Sequence, residues 1–270
     1  MRLNGCVGQV ALATVCAMSL SCARQAPVPV PTAKPSELQL AALAGRSILL
    51  AHQSVGGNII AGIERLTSGR LAITQLRAAG AAGVGLHHYY VGHNGDPLGK
   101  IADFAELFQH ASEPTVDVAL LKLCFVDFGP ATDGAALASA YITTLKSLAA
   151  AHPHTRFVAV TAPLTAVNPR SPRSLLRQLL GRAPSGVEAN LRRQEFNDRV
   201  RQAFTGADLF DLARLESTGL GALSGVAYQG HMVETLDARL SSDGGHLNQL
   251  GQDLAATRLL QVIAAGLPAG

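Results

Sequence analysis

Two short words in this 270-residue chain gather residues able to do acyl-transfer chemistry. The first, His52-Gln53-Ser54-Val55-Gly56-Gly57-Asn58, directly follows an apolar run and leads into a helical pattern. A serine on a strand-to-helix turn is presented at the carboxyl edge of a sheet, and the N–H groups of the adjoining helical turn can stabilise an oxyanion. Ser54 is therefore a candidate nucleophile; the competing reading makes it only the N-cap of the helix, a role serine often fills. The second word, Ser241-Ser242-Asp243-Gly244-Gly245-His246-Leu247-Asn248, precedes the last helical pattern. An aspartate three residues before a histidine, with glycines between, can fold so that the carboxylate orients the imidazole and stabilises its cation. Alone, the same word also reads as a turn ahead of a helix N-terminus.

Other polar residues compete for attention. Residues 85–96 carry His87, His88, His93 and Asp96, but no spacing typical of metal ligands, so no metal is expected there and the segment reads as a substrate-lining loop. Within it Gly92, Asn94 and Gly95 are candidates for oxyanion or substrate contacts, Asn94 through its amide. His52 and Asn58 are candidates for supporting the nucleophile from behind, with a simple packed histidine as the alternative for His52. Gly56, Gly57 and Gly62 lack the GxGxxG order of a dinucleotide loop, and no cofactor is expected. Arg170, Arg173, Arg177 and Arg182 lie among prolines and break the surrounding rhythm, either as a basic lid or as a solvated excursion; residues 214–242 form another long connection.

The elements that must position these residues follow from the hydrophobic pattern. With 48% hydrophobic residues, a net charge of +3 and no block of Lys and Arg, the chain can bury a core and shows no electrostatic footprint for nucleic acid. Apolar runs at 47–51, 71–76, 116–123, 156–161 and 209–212 read as strands, alternating with helical patterns at 55–66, 98–108, 134–151, 187–204 and 248–265. Such alternation requires right-handed crossovers and a parallel sheet. The expectation is one α/β domain, a three-layer α/β/α sandwich with about five parallel strands, with ligands beyond the strands' carboxyl ends.

The N-terminal 23 residues read as an export signal: Arg2, then the apolar run 10–20, then small residues. Cys22 is open to two readings, the lipidated cysteine of a lipoprotein signal or part of a segment cleaved after Ala23. The proline-rich residues 24–37 read as a spacer, with the domain spanning 38–270. Cys6, Cys16 and Cys22 fall in the signal, leaving Cys124 alone and excluding a disulfide framework within the mature chain.

A serine after the first strand combined with D-x-x-H before the final helix resembles the SGNH/GDSL hydrolase superfamily, in a bacterial branch that writes H-x-S-V-G for G-D-S. The resemblance runs from Ser47 to the final helix, with similar words at Phe104, 116–127, Thr161-Ala162-Pro163-Leu164, Phe210-Asp211-Leu212-Ala213 and Glu216-Ser217. It implies a flavodoxin-like sheet, with Ser54 as nucleophile, His246 as general base and Asp243 as its orienting carboxylate. The superfamily's G-x-N-D is here Cys124-Phe125-Val126-Asp127, so Val126 replaces an oxyanion asparagine, and the oxyanion glycine is matched only loosely by Gly92 or Gly95. The expected activity is an exported serine esterase, periplasmic or extracellular, acting on an acyl ester such as an acetyl group of a small molecule or glycan. An O-acyltransferase acting on a sugar and a weakened carbohydrate-binding protein are the alternatives. Membrane contact is expected only through an N-terminal lipid anchor at Cys22.

Overall fold

In the computed structural model, residues 35–77, 83–109 and 116–267 are described; the signal segment, Cys22 and most of the proline-rich spacer lie outside them. In chain order the elements are α1 (Glu37–Ala44), β1 (Ser47–His52), α2 (Val55–Thr67), β2 (Ile73–Leu76), β3 (Gly85–Tyr90), α3 (Pro97–Glu106), β4 (Val118–Leu121), α4 (Gly134–Ala151), β5 (Arg156–Val160), α5 (Pro172–Leu179), α6 (Val187–Ala203), β6 (Leu209–Phe210), α7 (Leu212–Thr218), β7 (Gly225–Tyr228), β8 (His231–Glu234) and α8 (Gln249–Ala265).

Six strands form one parallel sheet in the order β2-β3-β1-β4-β5-β6, with β1 paired to β3 and β4 along its length. Ile48, Leu50, Leu120 and Val160 face a core shared with α2 and α8. Leu49, Ala51, Leu121 and Ala159 face a second core containing Phe104 of α3, Tyr141 of α4 and Phe196 of α6. Burial on both faces explains why β1 and β4 read as unbroken apolar runs. Tyr141 spans two strands: its hydroxyl donates to the Leu121 carbonyl at 2.7 Å and accepts from the Val160 N–H at 2.9 Å.

The α/β three-layer reading holds, with a sixth strand. Omitting β2, the order β3-β1-β4-β5-β6 is the flavodoxin-like arrangement, and β2 is an added edge. Of the six strands of this sheet, the one absent from the sequence reading is β3. Residues 85–96 are therefore not one loop: Gly85–Tyr90 is a strand and only 91–96 connects onward to α3. Leu86, His88 and Tyr90 alternate with His87 and Tyr89, and the histidines disguised a period-two pattern rich in strand-favouring aromatics. Asp96 accepts the Gly99 N–H at 2.8 Å and caps α3, ahead of Pro97 in its first turn. Ser36 caps α1, whose Leu40 and Leu43 are buried against the core. Residues 214–242 hold α7 and the β7–β8 hairpin, which packs on α6.

Of the glycines of α2, Gly62 serves helix packing. A Cβ at Gly62 would stand 2.4 Å from the Gln252 carbonyl oxygen and 2.8 Å from the Ala256 Cβ, whereas one at Gly57 would meet nothing within 4 Å. Alanine is ordinarily the better helix former by about 0.5–1 kcal/mol, and Gly57→Ala should show that gain. Gly62→Ala should reverse the sign and cost about 1–3 kcal/mol by overpacking α2 against α8. Equilibrium denaturation of the two variants checks this, and equal effects would contradict the close approach.

Candidate active site

The turn between β1 and α2 is built around an unusual backbone. Ser54 sits at φ 50°, ψ −109°, a region that non-glycine residues rarely occupy. Although it stands at the N-cap position, its side chain makes no capping bond. Its Oγ lies 2.7 Å from Nε2 of His246, 192 residues away in the chain. Nδ1 of His246 lies 2.7 Å from Oδ2 of Asp243, so the serine, imidazole and carboxylate form a continuous relay.

The Asp243–His246 turn is fixed from several sides. Asp243 Oδ1 accepts the backbone N–H groups of Gly245 and His246 at 2.9 and 2.7 Å. The His246 N–H, its ring and the Gly245 N–H hold the Asp243 carboxyl well below the usual carboxylate range, so it stays ionised at neutral pH. Gly244 takes φ 89° and its carbonyl accepts the Ala166 N–H at 2.8 Å, tying the turn to the segment after β5. Asn58 of α2 accepts the Leu247 N–H through Oδ1 at 3.1 Å and joins the residue after His246 to the helix that carries the serine. Phe125 packs edge-on to His246, its centroid 5.4 Å away, and closes over Gly245, where a Cβ would stand 2.8 Å from the ring.

Two buried lysines brace the Ser54 side, and neither stood out in the sequence. Lys122, directly after β4, donates to the Gln53 carbonyl at 2.8 Å and lies 3.5 Å from Cys124 Sγ. Burial pushes its ammonium pKa down, with Cys124 opposing. Gln53 in turn donates through Nε2 to the Val91 and Gly92 carbonyls at 3.2 and 3.1 Å. The loop 91–96 is thereby fastened to the Ser54 turn. Lys100 and Asp127 form an ion pair with both side chains 0% exposed, at 2.8 Å. Asp127 also accepts the N–H groups of Gly95 and Cys124, and Lys100 donates to Asn94 Oδ1 at 3.0 Å. Removing one partner of such a pair typically costs about 3–5 kcal/mol. The signal available in the sequence was a lysine inside the apolar run 116–123, since lysine is almost never fully buried without a partner.

These contacts sort the candidate oxyanion donors. The Gly92 N–H donates to Asp103 at 2.6 Å and the Gly95 N–H to Asp127 at 2.9 Å, so both are already committed. Asn94 is exposed, and the bond from Lys100, which can only donate, identifies its carboxamide oxygen and leaves Nδ2 as the outward donor. Val126 is half-exposed on the 3-10 turn Phe125–Asp127. His52 is buried, with Nε2 3.1 Å from His88 Nδ1, and its ring occupies the space a Cβ on Gly56 would need. Burial, then Lys122 and His88, push its pKa down to about 3, so it stays neutral.

The three histidines of 85–96 do not converge: His87 bonds the Gly83 carbonyl at 2.8 Å, His88 meets His52 and His93 is exposed. Among the described residues no group of three or more His, Cys, Asp or Glu is placed to hold a metal. A cavity of about 510 Å³, lined by Arg46, Asp117, His154 and Arg156, opens at the amino ends of β1, β4 and β5, the edge opposite Ser54.

No family model matches the chain, and no curated protein matches it. Solved structures do resemble it. A protein of Streptococcus pneumonia, provisionally described as a platelet activating factor, is 14% identical with a TM-score of 0.47, over 85% of this chain and 92% of that one. A peptidoglycan O-acetylesterase is 15% identical with a TM-score of 0.38, over 66% of this chain and 46% of its own length. The periplasmic domain of a lipopolysaccharide acetyltransferase from Salmonella ser. Paratyphi A is 14% identical with a TM-score of 0.41, over 78% and 81%. Likeness at these identities carries no statement about activity.

Glu216 supports the site from below, its Oε2 accepting the N–H of Leu164, two residues before Ala166. Burial pushes its carboxyl up from 4.5 to about 8, against the Leu164 N–H, Lys122 and Arg193. A carboxyl that binds its proton more tightly when folded loses stability as pH rises from its unfolded value through its folded one. Glu216→Gln keeps an acceptor for Leu164 and removes the titration. Its melting temperature should gain on the wild type steadily between about pH 5 and about pH 8 and show little such gain below. Parallel melting curves across that window would exclude a raised Glu216.

Proposed function

We propose that this protein is an exported serine hydrolase of the SGNH/GDSL kind, acting on an acyl ester through Ser54, His246 and Asp243. The observation that carries the reading is the relay of two 2.7 Å contacts from Asp243 through His246 to a serine on a strained turn. In the proposed reaction Ser54 Oγ attacks the acyl carbonyl while His246 Nε2 takes its proton. The tetrahedral intermediate then expels the alcohol, which receives that proton, leaving the acyl group on Ser54. Water, activated by the same imidazole, releases the acid and restores the serine. Asp243 holds the ring and stabilises its cation. The Asn94 Nδ2 and the backbone N–H groups of Ser54 and Val55 supply the oxyanion donors in this reading, those of Gly56 and Gly57 being bonded to the Gln53 and Ser54 carbonyls.

His246 and Asp243 are 41% and 54% exposed on their side chains, an open arrangement that suits an ester carried on an extended glycan better than one enclosed in a pocket. A signal at 1–23, cleaved either before a lipidated Cys22 or after Ala23, a spacer at 24–37 and a hydrolase domain at 38–270 complete the proposal. The same relay would serve acyl transfer if a sugar hydroxyl replaced water in the second step, and product analysis with and without a sugar acceptor separates the two.

A fluorophosphonate probe should label the chain at Ser54, located by peptide mapping. Ser54→Ala, His246→Ala and the double variant should each lose at least about 10³-fold in kcat on a chromogenic acetyl ester and share one residual rate, because nucleophile and base act as a unit. Losses that add would sink the relay. Asn94→Ala should lower kcat about 10²-fold with little change in KM, as for a contact made in the transition state. An unchanged kcat would remove Asn94 from the mechanism.

A further inference from the structure

The segment joining β5 to α6 carries an amphipathic helix turned inside out. In α5 the buried residue is a serine: Ser174 is 1% exposed, and its Oγ accepts from the Ser171 hydroxyl at 2.9 Å and from the Ser185 N–H at 3.3 Å. Arg177 reaches the Ala183 carbonyl and Glu188, and Gln178 the Pro169 carbonyl, so the polar side is pinned to the domain. The leucines face outward instead. Leu175, Leu176, Leu179 and Leu180 are 49%, 60%, 85% and 65% exposed. Spaced i, i+1, i+4 and i+5, they share one side of the helix.

Within the segment that carries this apolar stripe the charge has one sign. Arg170, Arg173, Arg177 and Arg182 fall between residues 165 and 187, which contain no Asp or Glu. Arg177 is paired with Glu188, while Arg170, Arg173 and Arg182 are exposed. Four solvent-facing leucines flanked by exposed arginines match an interfacial helix, whose apolar face enters the acyl boundary while its cations meet anionic headgroups. A second copy of the chain fits poorly, because a two-fold contact through α5 would bring each arginine cluster against its counterpart. A glycan would leave the leucines without apolar cover.

We propose that α5 docks the domain on an anionic lipid bilayer, with Leu175, Leu176, Leu179 and Leu180 inserted and Arg170, Arg173 and Arg182 on the headgroups. This contact is separate from any lipid on Cys22 and independent of the catalytic reading. Thr165 and Ala166, which begin the same connection, hold Asn190 and the Gly244 carbonyl.

The chain contains no tryptophan, so Leu179→Trp in the full-length protein gives a reporter in α5 alone, at a side chain exposed enough to change without repacking. Phosphatidylglycerol vesicles should shift its emission to the blue and protect it several-fold from aqueous quencher. High salt, or Arg170→Gln, Arg173→Gln and Arg182→Gln combined, should reverse most of that change. Emission unchanged at saturating phosphatidylglycerol overturns the proposal, as does an equal response to phosphatidylcholine. A blue shift that appears without vesicles and grows with protein concentration would assign the face to a second copy instead.

Discussion

The site depends on holding Ser54 at a backbone conformation that costs roughly 1–3 kcal/mol and persists only where its surroundings leave no alternative. The surroundings are specific. Lys122 takes the carbonyl of the preceding residue, Gln53, whose side chain spans to Val91 and Gly92, while the Gly57 N–H donates to the Ser54 carbonyl. Gly56 admits the His52 ring directly beneath the start of α2. With the backbone turned this way, the hydroxyl is withdrawn from the helix N-terminus and reaches His246.

Charge buried at the carboxyl edge of the sheet keeps the neighbouring loops in register with that turn. Lys100 and Asp127 lose all contact with solvent, a costly arrangement unless every donor and acceptor is used. Asp127 receives Lys100 and two backbone N–H groups, and Lys100 also reaches Asn94. The pair connects the loop after β3 to the 3-10 turn after β4, the turn whose Phe125 packs against His246. A departure at Val126 that read in sequence as a missing oxyanion group thus lies in a turn whose neighbours Phe125 and Asp127 are both committed to holding the site together.

The two sides of the relay are brought together by helices as much as by loops. α2 carries Ser54 at its start and α8 follows His246, and Gly62 lets these helices approach until a methyl group would not fit between them. Asn58 fastens α2 to Leu247. The imidazole is therefore located relative to the serine by close helix packing, by one side-chain bond and by the Ala166–Gly244 contact from β5. By contrast α5 is joined to the domain only through its polar side, which frees its leucines for an external surface.

Local sequence determined a good deal. The apolar runs of β1, β4 and β5 and the periodic patterns of α2, α4, α6 and α8 specify an α/β order, because burial on two faces or one leaves a direct mark on composition. The words around Ser54 and around Asp243 and His246 drew attention only as a pair, since each alone also serves as a helix cap or a turn. β3 was hidden because His87, His88 and Tyr89 look polar in one dimension and become interior or half-interior only once β1 and β2 pair on either side. The same holds for the lysines: what Lys100 and Lys122 do is set by Asp127 and the Gln53 carbonyl, 27 and 69 residues away. Hydrogen bonds between distant residues leave no periodic trace in a chain, so the identity of each partner, and which of Gly92, Asn94 and Gly95 keeps a donor to spare, was decided only by tertiary structure.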